Sequence, residues 1–397
     1  MTRTLLTLLA TLLVALPGVA GGPTAYDPGD FVEYWSAARV HAAGGNPYDG
    51  RQLLPWQRHI LGEPDRVEAV MLWTPPWTLP LYAPFGRLNT GDAHRFWLVT
   101  QWLLLVVSAL ALARVYGEGR RRAWLVPVAV LLTSAEVPWL FVYGQNTGFV
   151  LAGLAGFLYF RTRGYPVAAG LVGALTAVKP HLLLPFATLL LLDARSPAGR
   201  RVLLGGVAAI VVGSLLSLVP NRAIFAEFAA ALHAPSTATT KSVGDWQVPL
   251  FSYRLRMAID PAQFRWQFLP AVLACLGYAA VRVRTATPWD WAARLPLVVL
   301  VSLLTAPYGA WVFDLVLLIV PVTAMLFTAL GTGRLVVVVA AVALHLVRYP
   351  AALKLSSLED GWAVTPVALA GYVVVAALAY RGEPRASATG VRGTSSR

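Results

Sequence analysis

Apolar runs of about bilayer length recur along most of the chain, and one long polar stretch interrupts them near the start. The runs fall at 4–20, 93–116, 122–142, 146–161, 165–179, 180–193, 201–220, 266–282, 292–306, 309–328, 335–350 and 362–380, twelve in all. Each is a candidate helix at bilayer depth. Counting from a cytoplasmic Arg3, the inner connections collect Arg120, Arg121, Arg122, Arg161, Arg163, Arg195, Arg200, Arg201, Arg282, Arg284 and Arg334. That distribution is the one expected of cytoplasmic loops. The pattern predicts an all-α polytopic membrane protein of about twelve transmembrane helices. Residues 1–20 are a first transmembrane segment or signal anchor, 93–380 the transmembrane bundle, and 381–397 a disordered cytoplasmic tail rich in Ser, Gly, Thr and Arg.

The polar stretch, residues 21–92, carries five Arg against eight acids and so lacks a cytoplasmic retention signal. It is expected to be extracytosolic, as is 221–265. Within it Asp30 to about Ala43 reads as an amphipathic helix with Phe31, Trp35 and Ala38 at helical spacing, and Leu53 to Ile60 as a second short one. Both are expected to lie at the membrane surface. Residues 69–86 are apolar but contain Pro75, Pro76, Pro80 and Pro84, which predicts a surface or re-entrant segment instead of a crossing.

Composition agrees with the pattern: 57% of residues are hydrophobic and 13% charged, with a mean hydropathy of +0.62. A soluble domain is excluded. The net charge of +13 lies in scattered Arg clusters between apolar runs, which argues against nucleic-acid binding. The single cysteine, Cys275, rules out a disulfide framework. No P-loop, dinucleotide fingerprint, zinc spacing or Gly-x-Ser-x-Gly elbow occurs. Asp27, Asp30 and Asp49 do not make a metal site, since turns at Pro28 and Gly50 account for two of them.

Lysine is rare, and Lys179 falls between two runs at Lys179-Pro180-His181. As one helix, 165–193 would hold that charge at mid-membrane, at about 2.5–3.5 kcal/mol on insertion scales. Two short segments meeting at Lys179 avoid this and keep Arg195, Arg200 and Arg201 inside. Their cationic apex then sits below the outer surface and needs an anionic partner, such as a lipid phosphate, unless Lys179 snorkels to the headgroups. Two other polar features reach the same side: the turn Tyr143-Gly144-Gln145-Asn146, and His345 with Arg348 on one helix face. Asp30 with Glu33 also fits a capping box, which would explain both acids without chemistry.

In order, Asp30-Phe31 with Tyr34, Gly44-Gly45-Asn46-Pro47-Tyr48, Trp73-Thr74-Pro75-Pro76, Gly144-Gln145-Asn146 and Lys179-Pro180 resemble the signature of the glycosyltransferase 87 family, membrane enzymes of the GT-C superfamily. The similarity covers roughly residues 25–260. It departs at Gly244–Leu250 and at Trp73, where the family usually carries Asn-Gln-Ser and Tyr. The resemblance implies a GT-C-like fold and transfer of a hexose, mannose above all, from a polyprenyl-phosphate donor to a lipid or glycan acceptor on the outer face, with inversion and without a cofactor. Within that chemistry Asp30 is the candidate catalytic base, Lys179, His181, His345 and Arg348 are the candidates at the donor phosphate, and Tyr34, Tyr48, Gln145 and Asn146 those at the substrates. The other class open to such a chain is a transporter or flippase, which would be expected to carry internal repeats and midplane polar groups that are not evident here.

Overall fold

The computed structural model describes residues 28–248, 250–285, 289–354 and 369–378, the side chains of 243 and 346–354 excepted. The expected first segment 1–20 and the tail 381–397 lie outside the described residues. All regular structure among those described is helical.

The polar stretch folds into α1 (Phe31–Ala42), α2 (Gly50–Leu61) and, after a 3₁₀ turn, α3 (Leu79–Gly86). The expected amphipathic character holds for α2, whose Arg51, Gln52 and Trp56 are exposed over buried Leu53, Leu54, Gln57 and Ile60. It does not hold for α1: Phe31 through Ala38, Val40 and His41 are all buried. Its polar residues find partners inside the protein instead of in water. Ser36 donates to the Val32 carbonyl at 2.7 Å, the Gln57 amide donates to Ser36 at 3.2 Å, and the His41 ring meets the Ser217 carbonyl at 2.7 Å. The proline-rich segment holds only short helices, and α3 packs its Leu79, Tyr82 and Phe85 inward against α1.

The bundle begins with α4 (Thr90–Tyr116), α5 (Leu125–Thr133) and α6 (Glu136–Val142), and continues through α7 (Thr147–Thr162) and α8 (Pro166–Gly173). A 3₁₀ stretch, Ala174–Val178, carries α8 to Lys179, and a second, Pro180–Leu183, leads into α9 (Leu184–Asp193). Then come α10 (Pro197–Leu218), α11 (Ile224–His233), α12 (Phe251–Ile259), α13 (Leu269–Arg284), α14 (Trp291–Thr305), the 3₁₀ helix Val312–Leu318, α15 (Ile319–Gly331), α16 (Leu335–Lys354) and α17 (Leu369–Leu378).

The count of about twelve crossings is not reached among the described residues. Four helices are long and apolar enough to cross alone: Thr90–Tyr116, Pro197–Leu218, Phe264–Arg284 and Val312–Gly331. Two pairs would each make one broken crossing, Leu125–Thr133 with Glu136–Val142 bent by 61°, and Pro166–Val178 with Pro180–Asp193 bent by 117°. Other apolar helices, such as Thr147–Thr162 and Trp291–Thr305, have 10–17 residues, short of the roughly 20 that a 30 Å core asks for. Of the twelve apolar runs, 165–179 and 180–193 are the two arms of one bent pair, and 4–20 lies outside the described residues.

The sharpest bend lies at Lys179, where the sequence places it. Pro180 removes a backbone donor and disfavours helical geometry in the residue before it, and Lys179 is extended at φ −125°, ψ 73°. The first arm of the pair lies against α10 at very close range, since a methyl group on Gly170 would stand 1.9 Å from the Val202 carbonyl. Small residues allow that approach. At the far end of the bundle Asp193 accepts from the Trp291 indole at 3.1 Å and faces Arg161 and Arg282 at 3.8 and 3.7 Å, tying α7, α9, α13 and α14 together.

Candidate active site

Four remote segments meet around one glutamine. Gly29 and Gly144 both have positive φ, +58° and +57°, and each backs onto the other's loop: a methyl on Gly29 would lie 2.6 Å from the Tyr143 carbonyl carbon, and one on Gly144 2.5 Å from the Pro28 carbonyl oxygen. Only glycine fits either place. The Asp30 amide donates to the Tyr143 carbonyl at 2.8 Å, and the Trp97 indole donates to the Gly144 carbonyl, also at 2.8 Å. The start of α1 is thereby locked to the turn before α7.

Asp30 occupies the N-cap position of α1, yet its side chain makes no cap hydrogen bond. It accepts instead from the Gln145 side-chain amide. The capping-box reading of Asp30 is thus excluded. On its oxygen side Gln145 accepts from the Lys179 ammonium at 2.7 Å and from the Tyr34 hydroxyl at 3.4 Å. Lys179 also donates to Thr147 Oγ1 at 3.1 Å and to Asp314 Oδ1 at 2.7 Å, and its Nζ stands 4.9 Å from the centre of the Phe313 ring. Neither snorkelling nor a vacant cation describes it: the residue is 9% exposed and all three N–H donors of the ammonium are used. The anionic partner that a buried lysine requires is supplied by the protein.

Asp314 is fully buried. Its Oδ1 takes the Lys179 ammonium and the Thr147 hydroxyl, each at 2.7 Å, and its Oδ2 accepts from the Trp311 backbone amide at 3.2 Å. Sequence reasoning passed over it. The available signal was an acid inside an otherwise apolar run, of the kind that marks intramembrane function.

Around this chain stand aromatic walls. Tyr34 stacks on Trp97 and lies against Tyr82, with centroids at 5.1 and 4.9 Å. Asn146 is wholly buried; its amide nitrogen donates to the Tyr82 hydroxyl at 2.9 Å and its Oδ1 has no partner. A buried acceptor left unpaired costs about 1–3 kcal/mol, so this oxygen is suited to a hydroxyl-bearing ligand. His181 packs edge-on to Tyr308 at 5.5 Å, close to both Lys179 and Asp314. Glu33, one turn into α1, is buried, and its carboxyl is pushed well above the usual range by that burial first and by the neighbouring charge of Asp30 second.

The structure gathers Asp30, Tyr34, Gln145, Asn146, Lys179 and His181, and disperses the others. Tyr48 donates to the Thr74 carbonyl at 3.0 Å and packs on Phe228. His345 bonds Thr133 of α5 at 2.9 Å, so its recorded partner is a neighbouring helix and not the Lys179 apex. The Arg348 side chain lies outside the described residues. Among the described residues no three His, Cys, Asp or Glu side chains are placed to hold a metal.

The model of glycosyltransferase family 87 matches residues 73–307, well over half the chain. The match takes in Gln145, Asn146, Lys179 and His181; Asp30 and Asp314 lie outside it and reach the site through the fold. No curated protein and no solved structure matches the chain.

Proposed function

Because the chain belongs to glycosyltransferase family 87 and is a membrane glycosyltransferase, we propose that it moves a hexose, mannose in the first instance, from a polyprenyl-phosphate donor to a hydroxyl of a lipid or glycan acceptor. The reaction runs at the outer face of the cell membrane and inverts the anomeric carbon. Such a donor already carries a phosphate leaving group, so the chemistry asks for a base at the acceptor and for positive charge at the phosphate, not for a strong acid.

Asp30 takes the acceptor proton. The acceptor oxygen then attacks the anomeric carbon as the bond from that carbon to the phosphate oxygen breaks, and polyprenyl phosphate leaves with the electron pair. His181 meets the donor phosphate, while Lys179 adds its charge from behind Gln145. His345, which bonds Thr133 on a neighbouring helix, is left out of the phosphate site. Asn146 Oδ1 receives a sugar hydroxyl, and Tyr34 belongs to the substrate wall, whereas Tyr48 stands apart beside Thr74 and Phe228.

What carries this reading is the position of Asp30: a helix-start aspartate that declines its cap and is aimed by Gln145 beside a buried cation. The test is transfer by purified Asp30→Asn protein with polyprenyl-phosphate mannose. Asn has the shape of Asp and its amide oxygen can still accept from Gln145, so the fold is kept while turnover falls by about 10²–10⁴-fold at unchanged donor KM. Parental turnover would remove Asp30 from the chemistry, and failure of the parent protein on every polyprenyl-phosphate hexose offered would remove the donor class.

A further inference from the structure

The Gln145 side chain is held between a group that can only donate and a group that can only accept. An ammonium has no lone pair, so the amide oxygen must face Lys179; a carboxylate has no proton to give, so the amide nitrogen must face Asp30. The two ends of a glutamine amide are alike in outline, so hydrogen-bond partners decide which is which. Here the charges at either end select one orientation.

That selection depends on the ammonium staying in place, and the residue is 9% exposed in an apolar bundle. Asp314 holds it there. Its Oδ1 lies 2.7 Å from the ammonium, and it is itself fixed by Thr147 and by the Trp311 backbone amide.

We propose that Asp314 is a positioning residue for the transfer reaction: through Lys179 it fixes the Gln145 amide, and the amide fixes the Asp30 carboxylate toward the acceptor. The inference rests on Asp30 being the base. Asp314 touches no reacting atom, so its loss acts on turnover through the placement of Asp30, and displacement of a catalytic group by about 1 Å costs on the order of 10²-fold.

The experiment compares purified full-length variants by kcat, acceptor KM and thermal midpoint, with activity normalised to monodisperse protein. Removing one member of a buried ion pair strands the other charge, whereas replacing both with apolar groups is close to neutral for the fold. Lys179→Met/Asp314→Leu therefore keeps a midpoint near that of the parent, while kcat falls about 10²-fold at unchanged acceptor KM. Asp314→Glu retains the charge and recovers more turnover than Asp314→Asn. Thr147→Val takes away one contact of the pair without stranding a charge, folds normally and loses turnover about tenfold. Parental kcat in the double variant, or in Thr147→Val should the double variant fail to accumulate, overturns the proposal. Asp30→Asn is measured alongside: if it is inactive while the Asp314 variants are fully active, only this inference fails, and if it too is active, the reading of the base fails first.

Discussion

Gln145 presents its oxygen to Lys179 at 2.7 Å and its nitrogen to Asp30, so a neutral amide bridges a cation and an anion. Substituting Gln145→Glu keeps the shape but sets a carboxylate against that of Asp30, and like charges at contact cannot both stay ionised. Turnover is expected to fall at least about 10²-fold while the protein still accumulates, because Lys179 retains an acceptor. Steady-state kinetics on purified protein decide it; unimpaired turnover would mean the amide has no part in aiming Asp30.

Glu33 gives a pH signature. Its carboxyl is held well above the ordinary value of 4.5, by burial and then by Asp30, so the folded chain binds this proton more tightly than the unfolded chain does. The stability this contributes is full below the unfolded pKa and is lost as pH rises through the higher folded one. Glu33→Gln has no proton to lose. Its thermal midpoint should match the parent's in acid and exceed it increasingly as pH climbs. A difference that stays constant with pH would show that Glu33 is not protonated in the fold.

Gly144→Ala meets two penalties. The φ of +57° costs an alanine about 1–2 kcal/mol, and its methyl group would lie 2.5 Å from the Pro28 carbonyl oxygen, a backbone atom with little room to retreat. Overpacking of this kind adds about 1–3 kcal/mol. Both the thermal midpoint and turnover should drop, since the same turn carries Gln145. Loss of neither would mean that the two loops are not held together as described.

From the Arg distribution we propose an orientation with residues 221–265 and the α1–α2 region outside and residue 390 in the cytoplasm. Alkaline phosphatase fusions should be active at the first two places and silent at residue 390. Phosphatase activity at 390 would turn the site to the other face and with it the donor pool.

Much of this was legible because an isolated charge beside proline is conspicuous in an apolar chain. Lys179-Pro180 announced both the bend and a need for an anion, and the bend of 117° lies there. The anion itself was not legible. Asp314 sits in Val312–Gly331, whose mean hydropathy of 2.3 hides one acid among many aliphatic neighbours. The spacing of Phe31, Trp35 and Ala38 predicts one buried face of α1 but does not tell whether water or protein satisfies Glu33, Ser36 and His41, which are buried too. In the same way the helical spacing of His345 and Arg348 said which residues share a face but not which neighbour that face meets. Thr133, the partner of His345, is 212 positions away.

The pairing of Lys179 with Asp314 also sets an order of events during synthesis. The two residues are 135 positions apart, and at about 5–20 residues per second the lysine emerges roughly 7–27 s before its aspartate. Throughout that interval the hairpin at Lys179 has a cation and no counterion, and its apex can rest only near water or lipid headgroups. It can sink to its final depth once the Asp314 segment arrives. A chain arrested before residue 314 should therefore leave Lys179 open to a water-borne amine reagent that the finished protein excludes, which makes the maturation of the site a late step in biogenesis that can be followed at a single side chain.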